Sequence, residues 1–334
     1  MTDKEKADKD KLVSRLFTTL IRNGDREGFE KLAVDLSAES AQEWGPLLDS
    51  NRALLAFEDM AAQAGLAEQY RPKIWWMRSP YPGNFGDILT PYVLWHAFGV
   101  MPRWVSSKEA EGLCIGSIAK FARPGMRLWG TGMPRATDPL CPTAIYAAVR
   151  GPLSRSAVLA AGAECPEIYG DAAVLLPELY APDVAKTHKI GVISHVLQDA
   201  EIREAVRKVG LDHIKVISLH SVSFEDIERV IRDILSCEEI VTTSLHGLIV
   251  SHAYGVPAQY MNLNGNTNSF KVEDYKLSVG LTDPALQGRR EFTNVDWLEA
   301  RSCVLPPSQI DTVALRAAFP FPVRNSSEAH SPRT

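Results

Sequence analysis

Cysteine is scarce in this sequence, and none of it is spaced for a task. Five occur in 334 residues, at Cys114, Cys141, Cys165, Cys237 and Cys303, and no two form a CxxC pair. An odd, scattered set argues against a disulfide framework or a thiolate zinc site and fits reduced thiols in a cytoplasmic protein. Long apolar runs are missing too. No stretch approaches the ~18 uninterrupted apolar residues of a spanning helix. The nearest candidate, 245–260, is broken by His246, His252, two glycines and Pro257. The N-terminal stretch Met1 to Lys11 alternates acids with lysines and lacks the apolar core of a signal peptide. Basic excess is also absent. Lys and Arg number 36 against 41 Asp and Glu, a net charge of −5, which disfavours a protein built to hold nucleic acid.

Familiar catalytic signatures are missing as well. No GxGxxG follows the first strand candidate, so the nicotinamide fingerprint is lacking. There is no GxxxxGKS/T phosphate loop, no GxSxG elbow and no HExxH zinc motif. Trp129-Gly130-Thr131-Gly132 contains a GxG, a weak signal alone. Metal catalysis is not indicated.

What is present is alternation of strands and helices. Residues 11–70 read as helices, with Leu12, Leu16 and Leu20 beside Val13, Phe17 and Ile21 as one apolar stripe. Asn23-Gly24-Asp25 breaks the first helix, and Ser40 is placed to cap another. From Lys73 onward, strand candidates (74–77, 113–116, 127–130, 144–149) alternate with helices at 87–98 and 152–161. A second series starts at Lys189, with strands at 190–194, 214–219, 239–243 and 258–261. Its helix from Ser223 carries Asp226 at the capping-box position. This rhythm predicts an α/β protein with two Rossmann-like domains and mostly parallel sheets. The divisions are a helical extension at 1–72, domains at 73–185 and 186–319, and a disordered tail at 320–334. That agrees with the two domains expected from length, at roughly 100–200 residues each.

Ligands of open α/β sheets bind beyond the carboxyl ends of strands, where helix N-termini present free N–H groups. Four stretches fall at such places. Tyr81-Pro-Gly-Asn84-Phe-Gly86-Asp87 links a strand to a helix, with glycines for close approach and with Asn84 and Asp87 as polar groups; Asp87 could equally cap the helix. Arg150-Gly151-Pro152 sets a guanidinium directly after a strand, suited to carboxylate or phosphate unless it pairs with an acid such as Asp171. Gly170-Asp171 follows a short strand; its acid either meets substrate hydroxyls or orients Arg150. Thr242-Thr243-Ser244-Leu245-His246-Gly247 puts a histidine and several hydroxyls at a strand-to-helix turn, with an anion-favouring helix end behind. His252 faces another side of that helix and reads as structural.

Asn84-Phe-Gly-Asp87, Val149-Arg150-Gly151, Gly170-Asp171, Thr243-Ser-Leu-His246-Gly247 and Phe270-Lys-Val-Glu-Asp274-Tyr275 occur in this order. Together, over about 75–280, they resemble the polysaccharide pyruvyl transferase family, most nearly its succinoglycan-ketalase-like bacterial branch. The resemblance implies an architecture similar to the GT-B glycosyltransferases. It also implies transfer of a pyruvyl group from phosphoenolpyruvate to a sugar of an exopolysaccharide or cell-wall glycan precursor, as a ketal. By resemblance His246 is the general acid and Arg150 binds the donor's charged groups. Asn84, Gly86, Asp87, Asp171, Thr243, Ser244, Leu245, Gly247 and Lys271 are the expected substrate-binding residues. No metal and no cofactor beyond the donor are implied. Some family members carry an arginine where this chain has Ser244, with Lys271 and Arg123 as candidate replacements. A glycan or lipid-linked oligosaccharide is the expected acceptor, in the cytoplasm or at the inner membrane face, with self-association open. A nucleotide-sugar glycosyltransferase is the competing reading, although no E-x7-E pattern follows His246. A non-catalytic binding protein of the same fold is a third.

Overall fold

Hydrophobic patterning builds the two sheets directly. The computed structural model describes residues 3–209, 214–262, 270–282, 286–287 and 301–324. The first sheet contains β1 (Lys73–Ile74), β2 (Arg103–Trp104), β3 (Gly112–Leu113), β4 (Arg127–Thr131) and β5 (Ile145–Val149) in the order β2-β1-β3-β4-β5. The second contains β6 (His188–Ile193), β7 (Ile214–Ile217), β8 (Cys237–Thr242), β9 (Ala258–Asn262) and β10 (Leu286–Gln287) in the order β10-β9-β8-β6-β7. Every strand pairing is parallel. Ile190, Val192 and Ile193 in β6 and Ile240 and Val241 in β8 are all buried, the near-continuous apolar run of strands covered on both faces. The expected pair of mostly parallel sheets is therefore present. Two strands of the first sheet are shorter than expected, since β1 ends at Ile74 and β3 at Leu113, whereas β4 and β5 lie within a residue of their expected bounds.

The helical extension consists of α1 (Asp3–Arg22) and α2 (Arg26–Gln63). Gly24 takes φ +67° between them, and the Asp25 carboxylate accepts the Gly28 N–H as the α2 cap. Ser40 is extended within α2, and its hydroxyl accepts the Glu43 N–H, a cap inside a kinked helix. The α1 stripe is narrower than the sequence suggested. Val13 and Phe17 are buried, whereas Leu12 and Leu16 face outward.

The helices that cover the sheets include α3 (Phe85–Phe98), α4 (Pro152–Ala160), α5 (Leu176–Leu179), α6 (Asp199–Val209), α7 (Phe224–Leu235), α8 (Leu245–Ala253) and α9 (Phe270–Ser278). The capping box of α7 forms as its sequence implied, with Ser223 and Asp226 bonding reciprocally. One apolar cluster joins the two halves: Ile74, Phe85, Leu89 and Tyr92 pack with Ile217, Phe224, Ile227 and Leu248. The Phe224 ring stands 5.0 Å from Tyr92 of α3 and 5.3 Å from Phe57 of α2, so extension and both sheets meet there.

The chain then recrosses to the first sheet. Trp129 Nε1 donates to Leu315 O at 2.7 Å, and Phe319 stacks on Phe98 with ring centroids 4.0 Å apart. Phe321 is buried, and Arg324 N donates to Phe98 O. The tail expected to be disordered from 320 thus packs as far as Arg324, because Phe319 and Phe321 pack beside Phe98 of α3 and Trp129 of β4. Residues 325–334 of that tail lie outside the described set. Among the described residues all five cysteines are free, and no helix is long and apolar enough to cross a membrane.

Candidate functional site

Three helical N-termini converge where the two sheets meet. The first is that of α3. Asn84 is its N-cap residue, which places Gly86 and Asp87 in the first turn. Asp87 is therefore not the cap. Asn84 instead donates from Nδ2 to Asp87 Oδ2 at 2.9 Å. The loop before α3 is stitched to the second half by backbone bonds, Phe85 N to Leu219 O at 2.8 Å and Ser221 N to Gly83 O at 3.4 Å. Gly83, at φ +156°, lies against the Ser221 carbonyl, so only glycine fits that crossing.

The second is that of α8. Ser244 is its N-cap and accepts the Gly247 N–H, a bond of the kind worth about 1 kcal/mol. Leu245 turns into the core, and His246 follows in the first turn, 7% exposed. The third is a 3-10 turn, Ala172–Leu175, capped by Asp171, whose Oδ1 accepts the Ala173 N–H at 3.0 Å. Asp171 Oδ2 lies 3.4 Å from His246 Nε2. The separation is that of an ion pair, but the alignment is not that of a hydrogen bond, and neither atom has another partner among the described residues.

Gly86 explains how α3 and α8 approach. A Cβ at Gly86 would overlap the His246 imidazole at Nδ1. The ring thus packs against the first turn of α3, beside the Asp171 carboxylate and within electrostatic reach of Asp87. Gly86→Ala should displace the imidazole and lower turnover by about 10²-fold, the usual cost of a misplacement of about 1 Å. The circular dichroism of the variant should stay native. Turnover within twofold of wild type would refute this packing.

Burial pushes the Asp87 carboxyl up to about 6; the Asn84 bond, His246 and Lys271 oppose the rise, and Asp171 adds to it. The folded acid holds its proton more tightly than the unfolded one. The stability it contributes is present below about pH 4 and is lost as pH rises to about 6. Asp87→Asn should flatten that part of the pH–stability curve in chemical denaturation. An unchanged slope would exclude the assignment.

Lys271, on α9, completes the electrostatics. Burial and the nearby Arg150 push its ammonium down, and Asp87 pulls it up. It forms no ion pair or hydrogen bond among the described residues. His195, after β6, is pushed down by burial, Lys271 and His246. Thr243 Oγ1 accepts the His195 N–H at 2.8 Å and donates to Gln198 Oε1 at 2.9 Å, tying that loop to the α8 entry. Gly247 packs on Thr242, where a Cβ would collide with the hydroxyl.

Arg150 is placed differently from the expectation. It is fully buried, and its acid is Asp274 rather than Asp171. Nε donates to Asp274 Oδ2 at 3.1 Å, Nη1 to Ser117 Oγ at 2.9 Å and Nη2 to the Met133 carbonyl at 2.8 Å. Asp274 also accepts from the Ser154 N–H and hydroxyl at 2.9 and 2.6 Å. With its donors so engaged, the guanidinium clamps β5 and α4 to α9 and offers no open face to a ligand. The nearby GxG serves this clamp, since a Cβ at Gly132 would meet the guanidinium and Gly130 takes φ +71° against Ala172. Arg123 is no replacement cation either, because it donates to the Ser107 and Ala110 carbonyls. His252 bonds Tyr275 at 2.9 Å, as a structural histidine would.

The structure therefore brings together Asn84, Gly86, Asp87, Asp171, His246 and Lys271, and adds His195. It withdraws Arg150 into a scaffold with Asp274, Ser154 and Ser117. Asp274 had a motif but no role in the sequence reading, and a partner 124 residues away leaves no local signal. Among the described residues no group of three or more His, Cys, Asp or Glu side chains is placed to hold a metal ion.

Comparison with known proteins adds a likeness over part of the chain. Residues 143–262 match the family model named polysaccharide pyruvyl transferase. The match includes Arg150, Asp171 and His246; Asn84, Asp87, Lys271 and Asp274 lie outside it. A 97-residue segment is 26% identical to an uncharacterized protein of Acanthamoeba polyphaga mimivirus, covering 28% of this chain and 33% of the relative. The chain thus spans about a third of the length of that curated relative.

Proposed function

We propose that this protein is a transferase that moves a pyruvyl group from phosphoenolpyruvate to two hydroxyls of a sugar in an exopolysaccharide or cell-wall glycan precursor. The observation that carries this reading is the His246 imidazole, 3.4 Å from the Asp171 carboxylate, both inside the segment that matches polysaccharide pyruvyl transferases, with Asp87 within electrostatic reach. The first-turn N–H groups of α8 and the Lys271 ammonium favour an anion beside it. In this reading Lys271 takes the donor-binding duty that the family resemblance implies for Arg150. His246 protonates the methylene carbon of the donor, which makes C2 electrophilic. A sugar hydroxyl adds to C2 and gives up its proton, and phosphate leaves. The second hydroxyl then closes the ketal, its proton going to the departing phosphate. Asp87, with a carboxyl near 6, is suited to accept the first hydroxyl proton. Asn84 holds that carboxyl in place.

The two parallel sheets, with the site between them, support a GT-B-like architecture in this proposal. The branch-level likeness to succinoglycan ketalases rests on the sequence motifs. The acceptor is a free or lipid-linked oligosaccharide at the inner membrane face, and no cofactor besides the donor takes part. The test is phosphate release from phosphoenolpyruvate against a panel of free and lipid-linked oligosaccharides. Acceptor-dependent release, with a mass gain of one ketal on the glycan, is the expected result. Thermal stabilisation by nucleotide sugars and none by phosphoenolpyruvate would overturn the reading.

A further inference from the structure

Arg78 is a buried cation without a counter-charge among the described residues. It is 7% exposed, just past β1, where the apolar residues Ile74 to Met77 carry it into the interior. Its Nε donates to Ser50 Oγ at 3.2 Å and its Nη2 to Asn51 Oδ1 at 2.9 Å, both from α2. The guanidinium lies 4.8 Å from the Trp104 ring and 5.9 Å from that of Tyr81. No carboxylate pairs with it among the described residues, and Nη1 has no hydrogen-bond partner there. The other deeply buried arginines are treated differently. Arg71 meets Glu58 at 2.8 Å, and Arg150 meets Asp274. A buried, uncompensated charge is costly. Burial pushes this guanidinium down only to about 10, so it stays charged at neutral pH.

The space beside Arg78 is a narrow recess lined also by Trp76, Gly83, Asn84, Ser221 and Val222. Its wall holds a second unused group. Ser221 is 1% exposed, and its hydroxyl too lacks a partner among the described residues. A cation and a hydroxyl, both buried and both unsatisfied, line the same recess. The complementary ligand is an oxyanion, because guanidinium and hydroxyl donors match carboxylate or phosphate oxygens.

We propose that this recess binds a carboxylate or phosphate group of a ligand, with Arg78 Nη1 and the Ser221 hydroxyl as donors. Asn84 lines the recess on one side and bonds Asp87 on the other. The bound anion therefore sits beside the loop that carries the candidate site, at a place separate from Lys271. The helical extension, through Ser50 and Asn51, is what aims Arg78. The site does not depend on pyruvyl transfer, since it would hold an oxyanion for any reaction of the neighbouring groups.

The test is direct anion binding to the full chain, without turnover. Inorganic phosphate and pyruvate are titrated separately, with thermal denaturation as the readout, on wild type, Arg78→Gln and Ser221→Asp. Ser221→Asp places a carboxylate where the ligand's would lie, so it should raise Tm and block the site. Wild type should be stabilised by at least one probe, and which one responds tells a phosphate ligand from a carboxylate one. Both variants should need at least about 10-fold more anion for the same shift. Should Arg78→Gln fail to fold, Ser221→Asp decides alone. A wild type that responds to neither anion, or a folded variant that responds like wild type, would overturn the proposal.

Discussion

Asp274→Ala should lower folding stability by about 3–5 kcal/mol, the usual cost of breaking a buried ion pair from one side. Both partners are fully buried, and the carboxylate accepts three hydrogen bonds, one from Arg150 Nε and two from Ser154, with Arg150 Nη2 at ion-pair distance, 3.1 Å. Removing it strands the guanidinium and the Ser154 hydroxyl in a site that water does not reach. Asp274→Asn should do nearly as much harm, because the amide keeps the shape but loses the charge. Chemical denaturation gives the free energy, and the loss should appear as a shifted midpoint with an unchanged slope. A loss below about 1 kcal/mol would mean that the clamp is relieved elsewhere. The double variant Asp274→Leu with Arg150→Met should recover much of the stability, since a buried pair is often replaceable by apolar volume.

His246→Ala should lower turnover by about 10²–10⁴-fold, the range that a positioned general acid supplies, with little loss of fold. The imidazole makes no aligned hydrogen bond through Nε2, so its removal costs only the ion-pair contact with Asp171. The comparison with Asp274→Ala separates the two roles: one variant loses stability first, the other chemistry first. Steady-state rates of phosphate release beside thermal midpoints make the distinction. A His246→Ala enzyme that turns over normally would remove the imidazole from the mechanism and leave the carboxylates as the only proton carriers.

The sequence made much of this legible, for reasons that can be named. Parallel strands buried on both faces leave apolar runs, so β6 and β8 could be read to within two residues at either end. Local chemistry also showed: the Ser223–Asp226 capping box, the Gly24 break and the cap at Ser40 all involve residues within a few positions. His246 was visible because a strand-to-helix turn announces itself in order. What stayed hidden was long-range partnership. Arg150 read as a free cation because Asp274 stands far along the chain. Arg78 drew no notice because its significance is a missing partner, and a sequence cannot display an absence in space. The α1 stripe misled because six apolar residues at helical spacing fit one face on paper, while α2 covers only part of it.

The return of residues 315–324 to the first sheet bears on the order in which the chain can fold. Trp129 lies 186 residues before the carbonyl that receives its indole N–H. A ribosome therefore finishes the first sheet long before it makes the aromatic strip that covers it. Until then Phe98 and Trp129 lack their Phe319 cover, a sticky surface on a nascent chain. The second half must be made, and its own sheet crossed, before the first half is sealed. The two sheets are thus successive in synthesis but simultaneous in completion.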